Sequence, residues 1–136
     1  MQYWLVKTEP GDYSFDDLMK DKETPWDGVR NYQARNNLKL MEPGDAVLVY
    51  HSVKQKEVVG LAKVTSSFFQ DPTTEDDRWV AVQLAAEKPL SNPVSLAQIK
   101  SEPALSEIAL VRNSRLSVMP LEKGEFEKII ALSEEA

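Results

Sequence analysis

The chain has 136 residues, 42% of them hydrophobic, with no cysteine and a formal net charge of −6. That length suits one domain with a sizeable core, and the missing cysteines exclude disulfides, thiolate metal sites and a cysteine nucleophile. The acidic balance argues against coating nucleic acid through its phosphates, which takes a broad basic surface. Tyr3–Lys7 (YWLVK) is short, aromatic and β-branched, which predicts a strand buried on both faces. Pro10-Gly11-Asp12 breaks it. Ser14 then caps a helix with Asp16 and Asp17 at the positive end of its dipole, ending near Lys20–Lys22. A loop is expected through Thr24-Pro25-Trp26-Asp27-Gly28. The next helix runs from Asn31 or Tyr32 to about Met41, with Tyr32, Leu38 and either Ala34 or Met41 facing inward. Pro43-Gly44-Asp45 turns the chain into a core strand, Ala46–Tyr50, and Val58–Val64 returns as its hairpin partner. Gly60 inside that second strand signals a bulge or a close approach by another group.

Gln70–Asp77 reads as a polar, acidic loop, Trp79–Leu84 as a half-exposed strand, and Pro89–Pro93 as a connector. Ser95 caps a short helix over Leu96–Lys100, and a second short helix covers Ala104–Leu110. Leu116–Met119 is a brief strand stopped by Pro120. Glu122–Leu132 closes as an amphipathic helix with Phe126, Ile129 and Ile130 inward. No repeat, low-complexity segment or linker interrupts residues 1–136, so a single domain is expected. Strands with short interspersed helices predict an α+β fold: a small, partly open β-barrel flanked by helices. The N-terminus lacks the basic segment and apolar core of a signal peptide, and no apolar run approaches the ~18 residues of a membrane span. The expectation is a soluble, cytoplasmic protein without a membrane partner.

Charge is unevenly spread. Residues 1–25 hold three Lys against six acids, residues 26–56 five Lys/Arg against three, and residues 57–136 eight against thirteen. The middle segment, WDGVRNYQARNNLKLMEPGDAVLVYHS, is therefore locally positive, and it combines an indole, guanidinium and amide donors and the sole histidine. Flat hydrogen-bonding ligands such as nucleobases need that mixture, a π-face to stack on and polar groups to read the edge. Trp26 reads either as a wall of a base-stacking pocket or as an anchor packing its loop on the core. Arg30 and Asn31 sit at a helix entry that favours anions, although Asn31 serves equally well as the N-cap. Arg35, a turn further on, offers a bidentate fork to a phosphate or base edge, or a plain surface ion pair with Glu42 or Asp45. Tyr50-His51-Ser52 ends an apolar strand where a site border or a turn is expected. With no second His or Cys to share a metal, His51 is not read as a metal ligand, and no metal or cofactor is expected. Trp4 and Lys7 lie across the first strand, and Lys7-Thr8-Glu9 holds the residue types of a hydrolytic set. Neighbours on a strand point to opposite faces, which weighs against their convergence.

The blocks WLVKTEP from Trp4, WDGVRNYQARN from Trp26, VLVYHS from Val47, GLAKV at Gly60 and LSVMPL at Leu116 together resemble the EVE domain family over essentially the whole chain. The resemblance implies a PUA-like fold, related to the domains that read methylated adenine in RNA. It also implies non-catalytic recognition of a modified base in DNA or RNA, single-stranded or flipped out of a duplex. Carried over by position, Trp26, Gly28, Val29, Arg30, Asn31 and Arg35 would line or shape the pocket, with Trp4, Lys7, Tyr50, His51 and Ser52 opposite. The competing reading is a hydrolase of modified nucleosides like some ASCH domains, which share the PUA-like barrel.

Overall fold

The apolar runs and turn signals fold as an open, mixed six-stranded sheet with helices packed on it. A computed structural model describes residues 1–135. In chain order the elements are β1 (Tyr3–Thr8), α1 (Phe15–Asp21), β2 (Glu23–Trp26), α2 (Tyr32–Leu40), β3 (Ala46–His51), β4 (Glu57–Gln70) and β5 (Val80–Ser95). They continue with α3 (Leu96–Lys100), a 3-10 turn (Pro103–Leu105), α4 (Ala109–Arg112), β6 (Val118–Leu121) and α5 (Lys123–Glu134). Strand order is β2-β5-β4-β3-β1-β6. β1 runs parallel to β3, and every other pair is antiparallel. The sheet does not close, so the architecture is α+β with two free edges.

β1 and β3 form the centre: Leu5, Val6, Val47, Leu48 and Val49 are inaccessible to solvent, as the unalternating sequence predicts. Ser14 caps α1 in a full capping box with Asp17, and Ser95 does the same for α3 with Gln98. Asn31 is the N-cap of α2, its side chain accepting from the Ala34 N–H at 2.9 Å. At Gly60 the ladder slips in a bulge against β5, and a Cβ there would collide with the Phe15 ring. The glycine is the seat on which the start of α1 rests.

Five expectations need correcting. Thr24-Pro25-Trp26 is not a loop but part of β2, zipped antiparallel onto β5 through Thr24↔Leu84 and Trp26↔Val82. Pro89–Pro93 is not a connector, because β5 runs through it with register shifts that absorb the prolines. Pro120 lies inside β6, opposite Trp4, rather than ending it. Both β2 and β6 are edge strands, where a missing N–H breaks no ladder. Tyr32 faces outward, 52% exposed, while Ala34, Leu38 and Met41 are buried. The segment after Lys100 splits into the 3-10 turn and α4, each a single turn. Among the described residues no helix is long and apolar enough to cross a membrane.

Candidate functional site

The site begins where β1 runs out. Beyond Thr8 the chain folds back in a turn closed by the Asp12 and Tyr13 N–H groups, both donating to the Glu9 carbonyl at 2.9 Å. The Thr8 hydroxyl locks it from the other side, donating to the Tyr13 carbonyl at 2.6 Å. Tyr13 is thereby set beside β2, whose last residue is Trp26. The two rings meet edge to face, with centroids 6.3 Å apart and planes at 79°. Thr8, Tyr13, Thr24, Pro25, Trp26 and Asp27 enclose a cavity of about 260 Å³. That is just below the ~300 Å³ at which pockets for drug-sized ligands begin, which suits a smaller planar group.

The polar groups of the cavity are held in defined states. The Tyr13 hydroxyl donates to Asp21 Oδ2 at 2.8 Å. Burial and the Asp21 carboxylate push its pKa up to about 12, so it remains a neutral phenol. Asp27 stands at the rim, where partial burial and then the charge of Asp71 raise its carboxyl above the usual range. The Trp26 ring itself is 7% exposed. It is packed on the core, as the anchor reading expects, and what remains accessible borders the cavity.

Asp71 fixes the segment that follows. Its buried carboxylate accepts from the Gly28 N–H at 2.9 Å, from Arg30 Nη1 at 2.9 Å and from the Thr73 N–H at 2.7 Å. Burial pushes this carboxyl up, but the bonds donated by Thr73, Arg30 and Gly28 outweigh it and hold the pKa down at about 2. Gly28 has φ +78°, a left-handed conformation that an L side chain would strain. Val29 is buried, and Arg30 lies over the Trp79 ring at 5.5 Å.

Of the residues picked out by sequence, Trp26 and Thr8 line the cavity. Gly28, Val29 and Arg30 shape the loop leaving it, and Asn31 caps α2. Arg35 faces outward over the Tyr32 ring at 5.0 Å and bonds Asn36, not Glu42 or Asp45. Trp4 is in the core, 2% exposed, its indole N–H donating to Asp45 Oδ2 at 3.0 Å. Tyr50 is buried beside Lys7, whose ammonium lies 5.9 Å from its ring. His51 is buried too: Nε2 accepts from the Phe15 N–H at 3.0 Å, which leaves Nδ1 as the donor to Gln55 Oε1 at 2.7 Å. Ser52 borders a separate shallow cleft with Glu9, Pro10, Gly11, Val53 and Lys54. Trp4, Tyr50 and His51 therefore support the fold around the site and do not face into it.

Lys7, Thr8 and Glu9 diverge, as strand geometry predicts. Burial lowers the Lys7 ammonium, but its hydrogen bond goes to the Ser114 carbonyl at 2.8 Å, while Thr8 serves Tyr13 and Glu9 is exposed. Sequence reasoning missed Tyr13, Thr24, Pro25 and Asp27 as lining and Asp71 as organiser. Asp71-Pro72-Thr73 did carry a signal, since Asp before Pro opens a tight turn whose carboxylate collects nearby N–H groups.

An open mixed sheet carrying a small aromatic cavity between the end of one central strand and an edge strand defines a PUA-like α+β domain. The EVE domain family model matches residues 2–132, and the chain belongs to that family. It is 32% identical to mouse thymocyte nuclear protein 1 over 97% of this chain and 74% of that protein. A solved protein from Agrobacterium tumefaciens superposes with a TM-score of 0.95 at 36% identity, covering 98% of this chain and 94% of the other. Human THYN1, solved in complex with 5-methylcytosine-containing DNA, gives a TM-score of 0.91 at 30% identity, covering 100% and 99%. An ASCH protein from Zymomonas mobilis, at a TM-score of 0.61 and 15% identity, shares the fold alone.

Proposed function

We propose that this domain binds one modified nucleobase, a 5-substituted cytosine, in a single-stranded or flipped-out stretch of nucleic acid. The observation that carries the reading is the Tyr13–Trp26 corner around a base-sized cavity. An indole face there stacks the ring, which is worth about 1–3 kcal/mol per base. The Asp27 carboxylate at the rim accepts from the exocyclic amino group of cytosine, and the Thr8 and Thr24 hydroxyls supply further edge contacts. Pro25 adds an apolar surface for a 5-methyl group, whose burial contributes about 0.8 kcal/mol, roughly a fourfold preference. Human THYN1 in complex with 5-methylcytosine-containing DNA supports the same ligand class here.

A duplex base must leave its stack before it can enter, so paired targets should bind more weakly than single strands. The test is a titration of single strands carrying thymine, cytosine, 5-methylcytosine or 5-hydroxymethylcytosine, followed by tryptophan fluorescence, with deoxyribose and ribose backbones compared. Trp26→Ala should abolish binding. Because Trp26 is buried, Asp27→Ala at the exposed rim is the companion variant, expected to keep the fold and lose the selectivity for cytosine. Equal affinity for modified and unmodified strands, or full selectivity in folded Asp27→Ala, would refute the reading.

A further inference from the structure

Outside the cavity, the loop before β5 and the first turn of α2 build a second aromatic feature that the core does not need. Tyr32, 52% exposed, lies against Trp79 with ring centroids 5.1 Å apart and planes at 31°. Three guanidinium groups surround the pair: Arg35 over Tyr32 at 5.0 Å, and Arg30 and Arg78 over Trp79 at 5.5 and 6.0 Å. Arg78 Nη1 also donates to the Tyr32 hydroxyl at 3.1 Å, which holds the ring in place. Two of these cations are committed, Arg30 to Asp71 and Arg78 to Asp76. Arg35 meets no carboxylate among the described residues; its guanidinium reaches only Asn36 Oδ1 and the Arg78 carbonyl. Lys39, one turn along α2, covers the exposed Phe68 ring at 5.4 Å, extending the cationic and aromatic strip. Such a surface, on a chain of net charge −6, gathers stacking faces and uncompensated positive charge in one place.

We propose that the Tyr32–Trp79 pair with Arg35 is a stacking platform for a nucleotide flanking the pocketed base on the same single strand. The proposal rests on the base-binding reading of the cavity and extends it to the neighbouring nucleotides. Residues 26–32 join the two features, at most roughly 20 Å of extended chain, a span that a few nucleotides cover. Arg30 connects them physically, since the carboxylate that holds it also holds the Gly28 N–H just beyond Trp26. Aromatic faces accept any base, while Arg35 and Lys39 offer the phosphates between the two points a positive path.

The test separates the platform from the pocket. Two seven-nucleotide DNA strands carry a central 5-methylcytosine, one flanked by thymines and the other by abasic sites of the same charge. Wild-type protein should bind the thymine-flanked strand about tenfold more tightly, the loss expected when one stacked base is removed. Tyr32→Ala, at an exposed first-turn position, should erase that difference and leave the preference for 5-methylcytosine over cytosine intact. Arg35→Gln should flatten the salt dependence by about 0.7 in logarithmic slope. Equal binding of the two strands by wild-type protein, or an undiminished difference in Tyr32→Ala, overturns the platform. A lost preference for the methylated base with the flanking effect retained would instead overturn the pocket and leave the platform standing.

Discussion

Replacing Asp71 by Asn keeps the shape of the side chain, removes its charge and exchanges one of its two accepting oxygens for a donor, which tests what the buried carboxylate does. In the folded protein its pKa falls from 3.8 to about 2. At 1.36 kcal/mol per unit that corresponds to roughly 2.5 kcal/mol of stability. The Arg30 side chain is 41% exposed, so solvent screens part of the attraction and about 1–2 kcal/mol is the better figure. Because the folded value lies below the ordinary one, this contribution is full above about pH 4 and is lost as pH falls through about 2. Urea denaturation of both proteins from pH 7 to pH 2 measures it. At neutral pH the variant midpoint should fall by roughly 1 M, given slopes of about 1–3 kcal/mol per molar urea. That gap should narrow steadily below pH 4, as the wild-type carboxyl takes up its proton. Taking the difference cancels other acids that titrate in the same range, such as Asp45 and Asp17. A gap of constant size across the whole range, or none at neutral pH, would show that charge on Asp71 is not what holds the loop.

Gly60→Ala should destabilise the protein by about 1–3 kcal/mol, because its new methyl meets the Phe15 ring. Thermal melts of Gly60→Ala, Phe15→Leu and the double variant check this, the pair costing less than the sum of its parts. Trp4→Phe should cost about 1 kcal/mol through the lost bond to Asp45, which keeps its donors from Gln2 and Glu42. Since Trp4 lies outside the cavity, that variant should bind modified strands as tightly as wild type in the same titration.

Local chemistry made much of this fold readable. Ser14 and Ser95 announced their helices and Asn31 its cap, because each acts on neighbours within a few residues. What stayed hidden depends on partners far away in sequence. Trp26 looked like a loop residue because Pro25 and Gly28 flank it, and only the pairing of β2 with β5 turns that stretch into an edge strand. Tyr32 fitted an inward helical stripe, yet Trp79 and Arg78, in the segment before β5, draw it outward. Trp4 and His51 are polar-tipped residues whose partners, Asp45 and the Phe15 N–H, lie 41 and 36 residues away. A polar tip near a suspected site therefore pointed to a ligand when it was satisfying the core. Tyr13, which meets Trp26 beside the cavity, was not legible, because the turn that delivers it is set by backbone bonds to Glu9 and by the Thr8 hydroxyl.

The two free margins of the sheet each carry an imino acid, Pro25 on β2 and Pro120 on β6. An unclosed sheet invites a further chain to dock along its border and extend it, the route by which small β-rich proteins form fibrils. A ring nitrogen without hydrogen interrupts the row of donors an incoming strand would need, on both sides at once. The chain can thus keep its cavity beside an open border without that border becoming a template for self-assembly.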